Sequence, residues 1–166
     1  MRRLLLSAGL LLLGGGVTGC GFTPLYANPR TVAGLGSIEV VEPQGRLGHL
    51  LHEDLDDAFG RRKGEAPAWR LELALSETRG PRGLTLQDVS RYYDVGLTVQ
   101  YTLRSTATGK VAASGAVSSQ VSYDDSGAPY ADIAAAQDAQ GRVAADAARR
   151  IQLKLAAWMA RPAANP

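Results

Sequence analysis

Few side chains in this 166-residue chain combine the types and the spacing that chemistry requires. Two histidines, His49 and His52, stand three apart, with Glu53 after the second. A zinc-binding H-E-x-x-H needs its second histidine four residues after the first, so these read instead as helix residues paired with nearby carboxylates. No serine sits in a G-x-S-x-G turn. Gly34-Leu35-Gly36 precedes a strand instead of following one and lacks a third glycine at the required spacing, which makes it a linker end and not a phosphate cradle. Asp124-Asp125 lacks the alternating oxygen ligands and distal glutamate of a calcium loop and reads as a turn. The expectation is a chain with no catalytic centre, no metal and no cofactor. What remains is binding. Arg79, Arg82 and Arg91 flank a glycine- and proline-bearing loop over residues 77–90 that carries Leu84 and Leu86. Arginine forks on phosphate and leucines on acyl chains would suit an anionic amphiphile, although a solvated hairpin loop explains the same residues. For Arg61-Arg62-Lys63, a second basic group, capping of a helix end is an equal account.

Cys20 is the only cysteine, and its setting gives it a different chemistry. Arg2 and Arg3 open the chain, Leu4 to Leu13 form an apolar stretch of ten residues, and Gly14 to Gly19 are mostly small. That order is a signal peptide, since the stretch falls well short of the ~20 residues that cross a bilayer as a helix. Val17-Thr18-Gly19-Cys20 resembles the lipobox read during bacterial lipoprotein maturation. The expectation is removal of residues 1–19, a diacylglyceryl group on the Cys20 sulfur and a further acyl chain on its freed amine. Two or three chains give a stable anchor where one does not, at ~0.8 kcal/mol per buried CH₂. An ordinary secretory signal with an incidental cysteine is the alternative, but no A-x-A site fits better. Gly21 in place of aspartate looks like a signal for passage to the outer membrane, which would place the domain there, lipid-anchored on the periplasmic side.

With Cys20 spent on lipid, the domain can form no internal disulfide and has to be held by its core. Residues 20–166 are long enough for one domain with a sizeable core. The whole chain carries 18 Lys and Arg against 16 Asp and Glu, and loss of Arg2 and Arg3 leaves the two signs balanced. A nucleic-acid partner, which calls for a domain-wide positive excess, loses its main support.

The elements that must position these groups follow from periodicity. Residues 20–36 hold Pro24, Pro29, Gly34 and Gly36 without a sustained period and predict an extended tether. The domain is expected over residues 37–161, with a tail at 162–166. Ser37 to Glu42 is a short strand stopped by Pro43. Leu47, Leu50, Leu51, Leu55, Ala58 and Phe59 form one stripe of an amphipathic helix over residues 46–61, ended by the cations and Gly64. Alternation of period two from Trp69 to Ser76, and again from Tyr93 to Arg104, predicts half-buried strands. A turn at Thr106 to Gly109 leads into a partner strand carrying Val111, Ala113, Val117, Val121 and Tyr123. Residues 130–160 read as a long alanine-rich helix with Ile133, Val143, Ala147, Ile151, Leu155 and Trp158 along one side and i,i+4 pairs Asp138–Arg142 and Asp146–Arg150.

The order β-α-β-β-β-α predicts an α+β fold: a four-stranded mixed sheet, its first two strands parallel and the rest antiparallel, with both helices on one face. The other face comes out polar, with Arg70, Glu72, Thr98, Gln100, Thr102, Arg104, Ser114, Ser118 and Gln120 directed to water or to a polar partner.

Gly19-Cys20-Gly21-Phe22, followed by Pro24-Leu25-Tyr26, resembles the opening of the lipopolysaccharide-assembly lipoprotein family LptE. The strand Arg91-Tyr92-Tyr93-Asp94-Val95-Gly96-Leu97-Thr98-Val99-Gln100-Tyr101-Thr102-Leu103 is similar to that family's tyrosine-bearing strand. The resemblance implies a non-enzymatic outer-membrane lipoprotein whose helix-covered sheet lodges in the barrel protein LptD, assisting barrel assembly and delivery of lipopolysaccharide to the cell surface. LptD and lipopolysaccharide are then the expected partners, beside the membrane that holds the lipid. A barrel lumen is polar, and a domain with a polar sheet face fits it without exposing a large apolar patch. An auxiliary lipoprotein of an ABC-type lipid transport system, also small, anchored and mixed in structure, is the alternative.

Overall fold

The computed structural model describes residues 29–61, 64–83 and 92–161. The signal segment, Cys20 and its lipobox, Arg62, Lys63, Leu84, Leu86, Arg91 and the tail lie outside the described residues. Four strands, β1 (Ile38–Val40), β2 (Trp69–Pro81), β3 (Tyr92–Ser105) and β4 (Val111–Asp124), form one sheet in the order β1-β2-β3-β4. β1 pairs parallel to β2, while β2–β3 and β3–β4 are antiparallel, so the sheet is mixed as the sequence predicts. Three helices, α1 (Pro29–Gly36), α2 (Arg46–Phe59) and α3 (Pro129–Met159), complete the α+β fold. Among the described residues no helix is long and apolar enough to cross a membrane.

The pattern of α2 is the predicted one. Leu47, Leu51, Leu55 and Phe59 are buried and Leu50 packs beside them, while Glu53 and Asp57 face water. The helix stops earlier than the cation cluster suggests. Gly60 adopts a left-handed conformation (φ 60°) and its amide donates to the carbonyls of Asp56 and Asp57 at 3.1 and 3.2 Å. Glycine takes that conformation without the Cβ penalty, so it terminates the helix before Gly64 is reached. At the other end, a Cβ on Gly48 would lie 2.4 Å from the carbonyl oxygen of Pro43, so only glycine lets the first turn of α2 sit against the segment that joins it to β1.

α3 lies along the hairpin of β3 and β4. Its 31 residues span about 46 Å at 1.5 Å per residue, the same as the about 46 Å covered by 14 strand residues at 3.3 Å. The contact row is built largely from alanines, Ala136, Ala139, Ala144, Ala147 and Ala148, interleaved with Val143, Ile151 and Leu155, all buried. Small side chains bring the helix axis close to both the sheet and α2. Trp69 and Trp158 close this end of the core edge to face, with ring centroids 5.4 Å apart. Ile133 departs from the predicted stripe: it lies one turn before the first buried alanine of α3 and is 57% exposed. Val111 also departs. A register irregularity between Leu103 and Arg104 pairs Val111 with Arg104, so the chain enters β4 out of phase and Val111 is exposed.

The largest correction concerns residues 29–36, where the extended tether is replaced by α1. Pro29 opens it at a position that needs no amide donor, and Thr31 and Leu35, four apart, are buried. Gly34 rests on Met159 of α3, where a Cβ would come within 2.7 Å of the sulfur. The glycines that read as linker residues therefore serve a close helix contact and the turn into β1, where the Ser37 hydroxyl donates to the Gly34 carbonyl at 2.7 Å.

Candidate functional site

The uncovered face of the sheet is a continuous polar surface. Antiparallel register places Glu72 opposite Thr102, Ser76 opposite Thr98, Thr98 opposite Ser118 and Asp94 opposite Ser122, all directed away from the helices. These side chains are bonded to one another. Arg104 donates through Nε to Glu72 at 3.0 Å, and the Thr98 and Ser118 hydroxyls lie 3.2 Å apart. Asp94 accepts from Gln120 Nε2 at 2.7 Å and from the Ser122 hydroxyl at 2.6 Å. The face is thus tied together before any partner arrives, with little side-chain freedom left to lose on contact.

Of the arginines predicted to act together, the described pair lies on opposite faces of the sheet. Arg79 is in register with Val95, on the face that carries the helices, and Arg82 reaches the opposite, open face. The predicted loop 77–90 begins later than expected, because Glu77 to Pro81 continue β2 and pair with Leu97 to Tyr93. Alternation then sends Arg79 and its neighbours to fixed sides. Arg82 donates through Nη1 to Ser122 Oγ at 2.8 Å and so joins the Asp94 network. Arg79 donates to the Tyr123 hydroxyl, with its guanidinium carbon 5.2 Å from the centre of that ring. Tyr123 in turn stacks on Tyr93, centroids 5.8 Å apart. Arg91 lies outside the described residues.

Arg79 borders a groove of about 290 Å³ between β2 and the first turns of α3, lined also by Glu77, Val95, Ile133, Ala136 and Gln140. Glu77 accepts from Gln140 at 2.9 Å, and Asp132, at the rim, accepts from the Ser126 amide and hydroxyl at 2.8 and 3.0 Å. Both carboxylates accept from neutral donors only, so the groove is of mixed charge, with Arg79 set beside Glu77, Asp132 and the exposed Ile133. The exposed Ile133 and Tyr130 stand at the same end of α3. Periodicity misassigned Ile133 to the core, and an apolar residue just upstream of a helix's first buried position is the signal that identifies such a rim.

The histidines pair with neighbouring carboxylates. His49 contacts Glu42 at 2.9 Å and Glu53 at 3.4 Å, and the bond to Glu42, reinforced by the charge of Glu53, raises its pKa. His52 lies 3.7 Å from Asp56. Arg61 sits 3.8 Å from Glu39 on β1, a local ion pair. On α3, Arg142 pairs with Asp138 at 2.8 Å, and Asp146 gathers three donors: the buried Ser119 hydroxyl of β4 at 2.7 Å, Arg150 at 2.7 Å and Arg149 at 3.0 Å. Those bonds, the one from Ser119 foremost, outweigh burial and hold the Asp146 carboxyl down to about 2.

A family model described as LptE, lipopolysaccharide-assembly, matches residues 35–155. Among solved structures, a lipoprotein from Caulobacter crescentus CB15 is 41% identical, with a TM-score of 0.70 over 80% of this chain and 97% of that one. The rare lipoprotein B of Shewanella oneidensis is 18% identical, with a TM-score of 0.54 over 72% of this chain and 92% of its own. A minor lipoprotein of Acinetobacter baumannii, also 18% identical, gives a TM-score of 0.52 over 75% and 94%. The latter two likenesses are of fold alone. None of the curated proteins matches the chain.

Proposed function

We propose, from the premise that this chain belongs to the LptE family of lipopolysaccharide-assembly lipoproteins, that it plugs and scaffolds the barrel protein LptD in the outer membrane. The anchor is Cys20, acylated after removal of residues 1–19, and it holds the domain on the periplasmic side. The role is non-enzymatic: the domain assists assembly of the barrel and delivery of lipopolysaccharide to the cell surface. One observation carries this reading. The sheet face left open by the helices is polar across its central strands and already hydrogen-bonded, from Glu72 and Arg104 to Asp94 and Gln120. Such a face suits a water-lined lumen, where an apolar face would demand a dry partner.

Lipopolysaccharide contact falls to the Arg79 groove. A guanidinium held by Tyr123 offers a fork to phosphate, and the exposed Ile133 offers apolar surface beside it. Arg82 is committed to Ser122 on the opposite face and plays no part in that contact.

Purification of the tagged, lipidated protein from detergent-solubilised outer membrane tests the proposal. Co-purification of a large barrel protein is the expected result. Recovery with inner-membrane transporter subunits instead would replace the plug with an auxiliary role in an ABC-type lipid transport system.

A further inference from the structure

The two edges of the sheet are treated differently. β1 is three residues long, is followed closely by Pro43, and carries Glu39 paired with Arg61, so it offers little template for another strand. β4 is 14 residues long and, among the described residues, is bonded only to β3. From Val111 to Tyr123 it contains no charged residue and no proline, and its one irregularity lies at its start. Long uncharged edges are what sheets ordinarily guard against, with lysines, prolines, bulges or a covering element.

Beside this edge runs a groove of about 390 Å³ between β4 and α3, lined by Ala116, Val117, Ser118, Arg150, Leu153 and Lys154. Leu153 is 45% exposed. A strand added to β4 would alternate its side chains, one set entering the groove against Leu153 and the other extending the open face. The charges of the groove decide among occupants. Asp146 is shared by Arg149 and Arg150, and Lys154 pairs with no described carboxylate, so the lip is cationic. A second copy related by a two-fold axis would bring these cations against their own counterparts. Residues 20–28 of this chain contain no carboxylate.

We infer that the outer edge of β4 is a docking edge for an extended, carboxylate-bearing segment of another protein, which adds as a fifth strand and sets its acidic side chains against Lys154 and Arg150. This goes beyond the plug reading and holds whichever membrane protein supplies the segment.

The test places photoreactive benzoylphenylalanine at Ala116 or at Ser118 in the full-length lipidated protein in its native membrane, and maps the cross-linked peptides by mass spectrometry. The expected result is attachment from both positions to one short segment of a single other polypeptide, at sites about two residues apart, with Asp or Glu within it. Lys154→Glu should lower the yield about fivefold, as expected for reversing one solvent-exposed charge contact. An unchanged melting temperature in that exposed-site variant confirms that the domain itself is intact. Cross-links to a second copy, to residues 20–28 or to nothing would overturn the inference, as would a yield indifferent to Lys154→Glu. The identity of the captured polypeptide bears separately on the barrel: a different membrane protein on the edge would refute the plug while leaving the docking edge in place.

Discussion

Replacing Ser119 by alanine removes the donor that does most to fix the charge of Asp146, and with it a tie between β4 and α3. Ser119 is 5% exposed, and its hydroxyl donates at 2.7 Å to Oδ2, the same oxygen that accepts from Arg150, while Oδ1 accepts from Arg149. The depression of the Asp146 carboxyl from 3.8 to about 2 corresponds to about 2 kcal/mol of folded-state stabilisation at neutral pH. Its side chain is 23% exposed, so solvent screening trims that figure modestly. Ser119→Ala should remove about 1–2 kcal/mol, the two arginines retaining the rest. In a domain of this size that lowers the melting temperature by about 3–6 °C. The sign of the pH dependence follows from a pKa that is lower in the folded state. The stabilisation is complete above 3.8, is lost as pH falls towards about 2, and is absent below it. Melts of both proteins at pH 7 and near pH 2, with a carbon-13 NMR titration of the Asp146 carboxyl, read the effect directly. The gap between the proteins should shrink at low pH, and the variant's carboxyl should titrate closer to 3.8. A gap of constant size, or a carboxyl still at about 2 without the hydroxyl, would refute the assignment.

Gly48→Ala should destabilise the domain by about 1–3 kcal/mol in urea unfolding, because its methyl meets the rigid Pro43 backbone and not a movable side chain. Glu42→Gln should lower the raised His49 pKa, followed by proton NMR; any stabilisation from that pair is present at acid pH and lost as pH rises through the folded value. Arg79→Ala should weaken lipopolysaccharide binding about three- to tenfold in a direct titration, the scale of one charge-assisted contact, while Arg82→Ala should leave it unchanged. Cys20→Ala should leave an unacylated protein, held by its signal segment or released, and intact acylation by mass spectrometry would end the lipoprotein assignment.

Strands and long helices were legible because one period dominates each. Trp69 to Leu75 alternates cleanly, and the α2 stripe repeats every three to four residues. The failures share a cause, which is that local signals lose to tertiary contact. α1 is short and carries two glycines, and its support comes from burial of Thr31 and Leu35 and from the seat of Gly34 on Met159, none of which the local sequence displays. The placement of Arg79 and Arg82 was hidden for a different reason. Glycine and proline at 80 and 81 signal a loop, yet pairing with Asp94 and Tyr93 carries the strand through them, and once Arg79 lies in a strand its direction is fixed by parity. The open polar face needed only that same parity, which is why it was readable in advance.

The strands lie side by side in the order in which they are synthesised. No strand has to be inserted between two others already in place, so the sheet can grow outward by successive additions in chain order. The lid over that sheet, α3, arrives last. Until it does, Leu97, Val99, Leu103 and Val117 stand unroofed on the growing surface. A chain is therefore at its stickiest just before α3 forms, and one truncated ahead of residue 129 should aggregate or depend on a chaperone.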